Sequence, residues 1–192
     1  YFIKDNIAFG FNRLSIIDLE YGKQPLEKEK RTIIFNGEIY NHKELREELL
    51  NNNEFSTNSD TEVLLTAYIN YGEKCLDKLR GMFTFIIYDE VKDIVFGARD
   101  HFGIKPLYYI NNSEFIAFSS EYKSLVSLVD KLNVNEVALQ NYLSFQYTPK
   151  YNTIINEIKE VPNGTYFTIK NGDIEFKRYH KFKFSNKDVI EK

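Results

Sequence analysis

The chain has 192 residues, of which 43% are hydrophobic and 28% are charged, so it is long and apolar enough to form a globular core. Its formal net charge of −3 gives no electrostatic reason to expect nucleic acid or an anionic membrane, and no apolar run is long enough to span a bilayer. A single cysteine excludes an internal disulfide framework and is typical of a reducing, cytoplasmic environment. Because the chain opens at Tyr1 without an initiating Met, we expect a fragment of a longer protein.

The hydrophobic pattern predicts short strands, several of them joined as hairpins, and a few helices. Strands are predicted at residues 7–11, 33–35, 82–88, 94–98, 107–110, 115–118, 165–170 and 174–179. Helices are predicted at about residues 43–50, 59–79, 120–126 and 135–143. The run 82–88 is apolar on both alternating faces, so we expect this strand to be covered on both sides.

An Asn-Gly step follows the buried strand 33–35 and precedes a helix that Asn41 and Glu44 are expected to cap. A glycine at the end of a strand allows a ligand to approach the backbone closely, because it has no Cβ. The Asn36 side-chain amide and the Gly37 N–H could therefore hold an oxyanion together. A lone Asn-Gly step is more often an ordinary turn, so its surroundings must decide between the two interpretations.

Two charged residues fit the two ends of a zwitterionic amino acid. Arg13 stands among apolar residues, where it could bind an α-carboxylate through a bidentate contact or form an internal salt bridge. Asp60 could accept a hydrogen bond from an α-ammonium group, or simply complement the dipole of the helix that begins after Ser59. With the oxyanion donors, these residues describe a site that holds an amino acid and stabilises a tetrahedral intermediate.

The usual catalytic and metal-binding patterns are absent from the sequence. It contains no Gly-x-Ser-x-Gly motif, no glycine-rich phosphate loop and no Cys/His metal spacing. His42, His101 and His180 belong to unrelated segments and are interpreted as structural or solvent-facing. Cys75 falls on the apolar face of the second predicted helix and is interpreted as an inert core thiol.

Several motifs occur in an order and spacing that resemble class II glutamine amidotransferase domains. They are Asn-Arg-Leu-Ser-Ile-Ile-Asp at 12–18, Asn-Gly-Glu-Ile-Tyr-Asn at 36–41, Ser-Asp-Thr-Glu at 59–62, Leu-Arg-Gly-Met-Phe at 79–83, Arg-Asp-His-Phe-Gly-Ile-Lys-Pro-Leu-Tyr-Tyr at 99–109 and Ala-Phe-Ser-Ser-Glu-Tyr-Lys-Ser-Leu at 117–125. Within that family, the region 133–180 is most similar to glutamine-hydrolysing asparagine synthetases. The resemblance covers nearly the whole chain.

The resemblance implies an α+β fold of the N-terminal-nucleophile type, a four-layer αββα sandwich of two antiparallel sheets between helices. It implies a glutamine amidotransferase domain over residues 1–184 and, at 185–192, the start of a linker to an absent ATP-dependent synthetase domain. The family's nucleophilic cysteine stands at the mature N-terminus and has no counterpart in this chain, where Cys75 matches no catalytic position. We therefore expect the fragment itself to be inactive.

The resemblance also implies roles for individual residues. Asn36 and Gly37 would form the oxyanion hole, and Glu38 would line the site. Asp60 would take the α-amino group of glutamine. The residues implied to bind the remainder of the glutamine are Arg13, Leu14, Ser15, Ile16 and Ile17.

The intact protein implied by the resemblance would hydrolyse L-glutamine to glutamate and ammonia for the ATP-dependent amidation of aspartate. No cofactor or metal is expected in this domain, whereas ATP and Mg²⁺ would bind the synthetase domain, its partner in the same cytoplasmic protein. The resemblance also allows a homo-oligomer. Two alternatives are the glutaminase domain of another class II amidotransferase, such as one serving sugar or purine synthesis, and a non-catalytic glutamine-binding module.

Overall fold

The structure, a computed structural model, describes residues 1–12, 23–149 and 151–182. Its strands are β1 (Phe2–Lys4), β2 (Ile7–Phe9), β3 (Leu26–Lys28), β4 (Arg31–Ile39), β5 (Gly81–Asp89), β6 (Ile94–Arg99), β7 (Tyr108–Asn111), β8 (Ile116–Ser119), β9 (Lys159–Glu160), β10 (Thr165–Lys170) and β11 (Asp173–Arg178). Its helices are α1 (His42–Leu49), α2 (Asp60–Tyr71), a 3₁₀ helix (Gly72–Lys78), α3 (Tyr122–Val126) and α4 (Glu136–Phe145). The helices and strands predicted from the sequence are present at these places.

All strand pairs in the described chain are antiparallel. The largest sheet has the order β11-β10-β6-β5-β4-β3, and a second sheet has the order β8-β7-β9. Strands β1 and β2 form a separate hairpin. The central strand β5 pairs with β4 over nine residues, as expected for a run of aromatic and β-branched side chains.

The six-stranded sheet carries a core on each face. On one face, Phe85 and Ile87 of β5 join a cluster with the buried residues of α1 and α2, such as Leu45. On the other face, Ile86 of β5 joins a cluster with residues of the β1–β2 hairpin and the second sheet. Because successive side chains of β5 enter opposite cores, the prediction that this strand is covered on both sides is confirmed.

The second β layer is covered in turn by helix α3. Phe118 of β8 stacks on Phe167 of β10, with ring centroids 4.4 Å apart, which joins the two β layers. On its outer side, Ile110 of β7 packs with Leu125 of α3 and with Ile158. The order of layers is therefore helix, sheet, sheet, helix, with the second β layer built from a three-stranded sheet and a hairpin in the described residues.

The prediction that the strand ends at Asn36-Gly37 is wrong. Strand β4 continues to Ile39, because β5 pairs with it throughout, with Gly37 opposite Phe83. Gly37 has a φ of +151°, and a Cβ there would overlap the Met82 carbonyl oxygen. The glycine therefore serves a close approach between two strands rather than a turn.

The predicted side-chain cap of α1 is also wrong. Asn41 stands at the N-cap position but makes no side-chain hydrogen bond to the helix. Its amide instead donates to the Lys78 carbonyl at 2.9 Å and accepts from the Arg80 N–H at 2.8 Å. Asn41 therefore ties the start of α1 to the segment that leads into β5.

No helix in residues 1–12, 23–149 and 151–182 is both long and apolar enough to cross a membrane. The predicted linker 185–192 lies outside the described residues.

Candidate functional site

A cavity of about 670 Å³ lies beside the second half of β4 and is lined by both β layers. Strand β4, the first turn of α2 and Met82 line one side, and the segment from β8 to α3 lines another. Its charged lining residues in the described chain are Glu38, Asp60, Lys105 and Glu121. The cavity therefore offers acidic groups and one cation to a ligand.

The N–H groups of Phe35, Gly37 and Ile39 follow one another along the edge of β4 that faces away from β5. Phe35 N donates to Gln24 Oε1 at 2.6 Å, and Ile39 N donates to Asp60 Oδ2 at 3.1 Å. Because the hydrogen-bonding direction of a strand alternates, the Gly37 N–H between them points to the same edge, beside the cavity. Among the described residues, no group accepts a hydrogen bond from this N–H.

Asn36 stands next to this free N–H and contacts two cavities. It lines the main cavity and a smaller one of about 130 Å³, which Ile34 and Phe118 also line. Its side-chain amide makes no hydrogen bond to the described part of the chain. A carbonyl oxygen bound in the main cavity could therefore meet two donors, the Asn36 amide and the Gly37 N–H.

Asp60 opens helix α2 and is nearly buried, with 6% of its surface exposed. Burial raises the pKa of the Asp60 carboxyl, and the hydrogen bond from the Ile39 N–H and the nearby His42 partly offset this. An ammonium group bound in the cavity would favour the ionised form. Asp60 is thus placed to bind a cation, and the helix-dipole explanation of this residue does not account for its bond to β4.

The start of α2 is held by a buried carboxylate. Ser59 caps the helix by accepting from the Glu62 N–H at 3.2 Å, at the helix start that the sequence predicts. The Glu62 carboxylate accepts instead from the N–H groups of Ser56 and Thr57, and from Lys28 Nζ at 3.0 Å. Burial opposes its ionisation, but these donors lower the pKa of Glu62 to about 2. The loop that precedes α2 is therefore fixed to the helix and to β3.

The backbone of Lys105 is held on both sides by buried residues. Its N–H donates to Asp100 Oδ2 at 3.0 Å, and its carbonyl accepts from Arg99 Nε at 2.8 Å. Asp100, which is fully buried, also accepts from the N–H groups of Phe83 and Ile104. The loop that ends at Lys105 is therefore fixed against β5, the strand beside Gly37.

Residues 1–180 match the family described as a glutamine amidotransferase domain. The chain belongs to this family. It is 50% identical over 188 residues to asparagine synthetase [glutamine-hydrolyzing] 1 of Bacillus subtilis. This alignment covers 96% of this chain and 30% of that protein. It is also 36% identical over 184 residues to asparagine synthetase B [glutamine-hydrolyzing] of Escherichia coli, in an alignment that covers 94% of this chain and 28% of that protein.

A solved structure, glutamine phosphoribosylpyrophosphate amidotransferase from B. subtilis, shares the fold of this amidotransferase domain. The two align with a TM-score of 0.59 at 21% identity, over 82% of this chain and 32% of that one. At this identity the likeness shows the fold alone. The predicted α+β fold with antiparallel sheets and the predicted glutamine amidotransferase family are both confirmed. The chain spans less than a third of the length of each of these three proteins.

The amidotransferase domain brings together four of the predicted site residues, and their individual roles stay predictions. Asn36, Gly37, Glu38 and Asp60 line the same cavity. The remaining predicted residues lie outside the described part of the chain: Arg13, Leu14, Ser15, Ile16 and Ile17.

Sequence reasoning missed several residues of the cavity. Gln24 stands in a polar segment, and nothing in the local sequence distinguishes its side chain. Lys105 and Ser119–Ser120 lie within motifs that carry the family resemblance, and these motifs were the signal that they belong to the site.

Cys75 was predicted to be an inert core thiol, and the three histidines were predicted to be structural or solvent-facing. Cys75 is buried in the core, does not line the cavity, and burial raises its pKa to about 12. His101 and His180, though far apart in the sequence, stand with ring centroids 4.5 Å apart, and neither lines the cavity. In the described residues no group of three or more His, Cys, Asp or Glu side chains could hold a metal ion.

Proposed function

We propose that the cavity beside β4 binds L-glutamine, with the side-chain carbonyl at the Gly37 N–H and the α-ammonium at Asp60. The observation that carries this proposal is the Gly37 N–H, which has no acceptor among the described residues and lies beside the cavity next to the Asn36 amide. Asp60, bonded two residues further along the same strand edge, supports the position of the ammonium group. Arg13 and the backbone of residues 14–17 would hold the α-carboxylate.

The two donors would act on the amide carbonyl as it is attacked. When a nucleophile adds to this carbon, the oxygen gains negative charge, which the Gly37 N–H and the Asn36 amide would stabilise. Both donors lie on a strand that is paired on its other edge with β5, so they need little reorganisation as the charge develops. Cys75 lies away from the cavity lining, so this chain supplies the binding and polarising groups but no thiol at the site.

We further propose that the full-length protein carrying this chain is a cytoplasmic glutamine-hydrolysing asparagine synthetase. The 50% identity to the B. subtilis protein of that name supports this proposal. Glutamine would be hydrolysed to glutamate and ammonia, and the ammonia would serve the ATP-dependent amidation of aspartate elsewhere in the protein. ATP and Mg²⁺ would belong to that second reaction.

Calorimetric titration with L-glutamine tests the binding proposal. We expect saturable binding of L-glutamine, no binding of D-glutamine at the same concentrations, and at least tenfold weaker binding of L-glutamine by Asp60→Asn. Asp60→Asn keeps the shape of the side chain and removes its charge. Equal affinity of the wild type and Asp60→Asn would contradict the placement of the ammonium group.

A further inference from the structure

The edge of β4 that faces away from β5 is paired with a neighbouring strand only at its start. Strand β3 pairs with it through Lys28 opposite Arg31 and Leu26 opposite Ile33. Pro25 comes next, and a proline has no N–H with which to continue the hydrogen bonds. Regular backbone pairing along this edge therefore stops before Phe35, in the described part of the chain.

The side chain of Gln24 takes the place of the missing strand. Its Oε1 accepts from the Phe35 N–H at 2.6 Å, and its Nε2 donates to the Phe35 carbonyl at 3.0 Å. Nε2 also donates to Thr61 Oγ1 at 3.3 Å, in the first turn of α2. One carboxamide therefore satisfies both backbone groups of Phe35 and connects β4 to the helix that carries Asp60.

A side chain ends the pairing after one residue, whereas a strand would continue it. The next backbone group on this edge is the Gly37 N–H, and Asn36 lies between it and Phe35. Gln24 therefore fixes the backbone directly before Asn36 and Gly37. It leaves the Gly37 N–H beside the cavity without an acceptor in the part of the chain that the structure describes. The two hydrogens of Gln24 Nε2 are already used, so its amide has no donor left for a ligand.

We propose that Gln24 is a positioning residue for the oxyanion donors Asn36 and Gly37. This proposal rests on the proposed hydrolysis of glutamine. Gln24 acts through Phe35 rather than on the reacting atoms, so its loss changes the placement of the donors and not their number. Displacement of a catalytic group by about 1 Å is enough to cost about 100-fold in rate. The loss of rate should appear in kcat, because the negative charge that the donors stabilise develops only in the transition state.

The test uses steady-state kinetics of glutamine hydrolysis by the full-length protein. Gln24→Met keeps the length of the side chain and removes both hydrogen-bonding partners of Phe35. Gln24→Glu keeps the shape and replaces the donor Nε2 with an oxygen that faces the Phe35 carbonyl. We expect kcat to fall at least tenfold in Gln24→Met and further in Gln24→Glu, while KM for glutamine changes by less than about threefold.

Lys28→Met is the matched control, because Lys28 also connects this edge to α2, through Glu62, but does not line the cavity. We expect this variant to lower the melting temperature without changing kcat. Amide hydrogen exchange at single-residue resolution gives a second readout. Exchange of the Phe35 N–H should accelerate in Gln24→Met and stay slow in Lys28→Met.

The outcomes separate this proposal from the function on which it rests. A wild-type protein that hydrolyses no glutamine would contradict the proposed function itself. An active wild type with an unchanged kcat in Gln24→Met would overturn only the role of Gln24. A kcat that falls equally in Gln24→Met and Lys28→Met would also overturn it, because the effect would then reflect loosening of the edge in general.

Discussion

Gly37 carries two separate requirements at the scale of a single residue. The proposed chemistry needs its N–H on one edge of β4, where no described group accepts from it, and the pairing brings its α-carbon close to β5 on the other edge. A φ of +151° and the nearness of the Met82 carbonyl oxygen both exclude a side chain. The residue type is therefore fixed by packing as well as by the proposed chemistry.

This requirement predicts that Gly37→Ala destabilises the fold by about 3 kcal/mol or more, because the added Cβ must displace the backbone of β5. Thermal and urea unfolding would measure the loss. Gly10→Ala is the control, since a Cβ at Gly10 meets no described atom within 4 Å. An equal stability of Gly37→Ala and Gly10→Ala would contradict the observed strand geometry.

Lys105 is the one cation of the cavity lining in the described residues, which also includes three acidic residues. Glutamate carries one negative charge more than glutamine, so removal of this cation should affect glutamate more. We expect Lys105→Met to weaken glutamate binding about fivefold more than glutamine binding, roughly 1 kcal/mol for one partly screened charge. Calorimetry with both ligands measures the difference.

The control for this prediction is Lys43→Met, because Lys43 is an exposed lysine of α1 that does not line the cavity. That substitution should leave both affinities unchanged. Equal weakening of the two ligands in Lys105→Met would show that Lys105 does not interact with the charge of the ligand.

At the scale of an element, the position of helix α2 depends on Glu62. Its pKa is lowered to about 2 from an ordinary value of 4.5, so the folded state favours the ionised carboxylate. The stability that ionised Glu62 contributes is fully present above the pKa that its carboxyl has in the unfolded chain. It is lost as pH falls through the lower pKa of the folded state. This window runs from about pH 5 down to about pH 2.

Glu62→Gln should therefore destabilise the fold by on the order of 1–3 kcal/mol at pH 7, because it removes charged hydrogen bonds from a buried site. The difference from the wild type should shrink as pH falls from 5 towards 2, where protonated Glu62 resembles glutamine. Denaturant unfolding across this range measures it. A difference that stays constant with pH would contradict the account of Glu62.

A helix or strand can be predicted from the sequence where a single local pattern determines it. The two apolar faces of β5 predict a strand that is buried on both sides, and Ser59 predicts the start of α2. The extent of β4 does not follow, because Asn36-Gly37 is locally a turn signal and the pairing with β5 overrides it. The local sequence around Gln24 does not indicate its role either, since a side chain that replaces a strand leaves no periodic pattern.

At the scale of the whole molecule, the site is assembled from segments that are distant in the sequence. Gln24, the end of β4, the start of α2 and the loop of Lys105 meet because the six-stranded sheet fixes them. The family motifs include the end of β4, the start of α2 and Lys105, but not Gln24. Among the described residues, the structure adds that Gly37 is the open position on the edge of β4. We propose that this edge of β4 polarises the carbonyl of glutamine.

Steady-state kinetics of Asn36→Ala and Asp60→Asn in the full-length protein, with glutamine and with ammonia as nitrogen sources, tests this claim most directly. We predict that Asn36→Ala lowers the glutamine-dependent kcat by a factor on the order of 10²–10³, the loss expected for one oxyanion donor. Asp60→Asn should mainly raise KM for glutamine, and ammonia-dependent synthesis should survive both changes. A change in KM alone for Asn36→Ala would contradict the oxyanion role, and loss of the ammonia-dependent activity would trace the defect to folding instead.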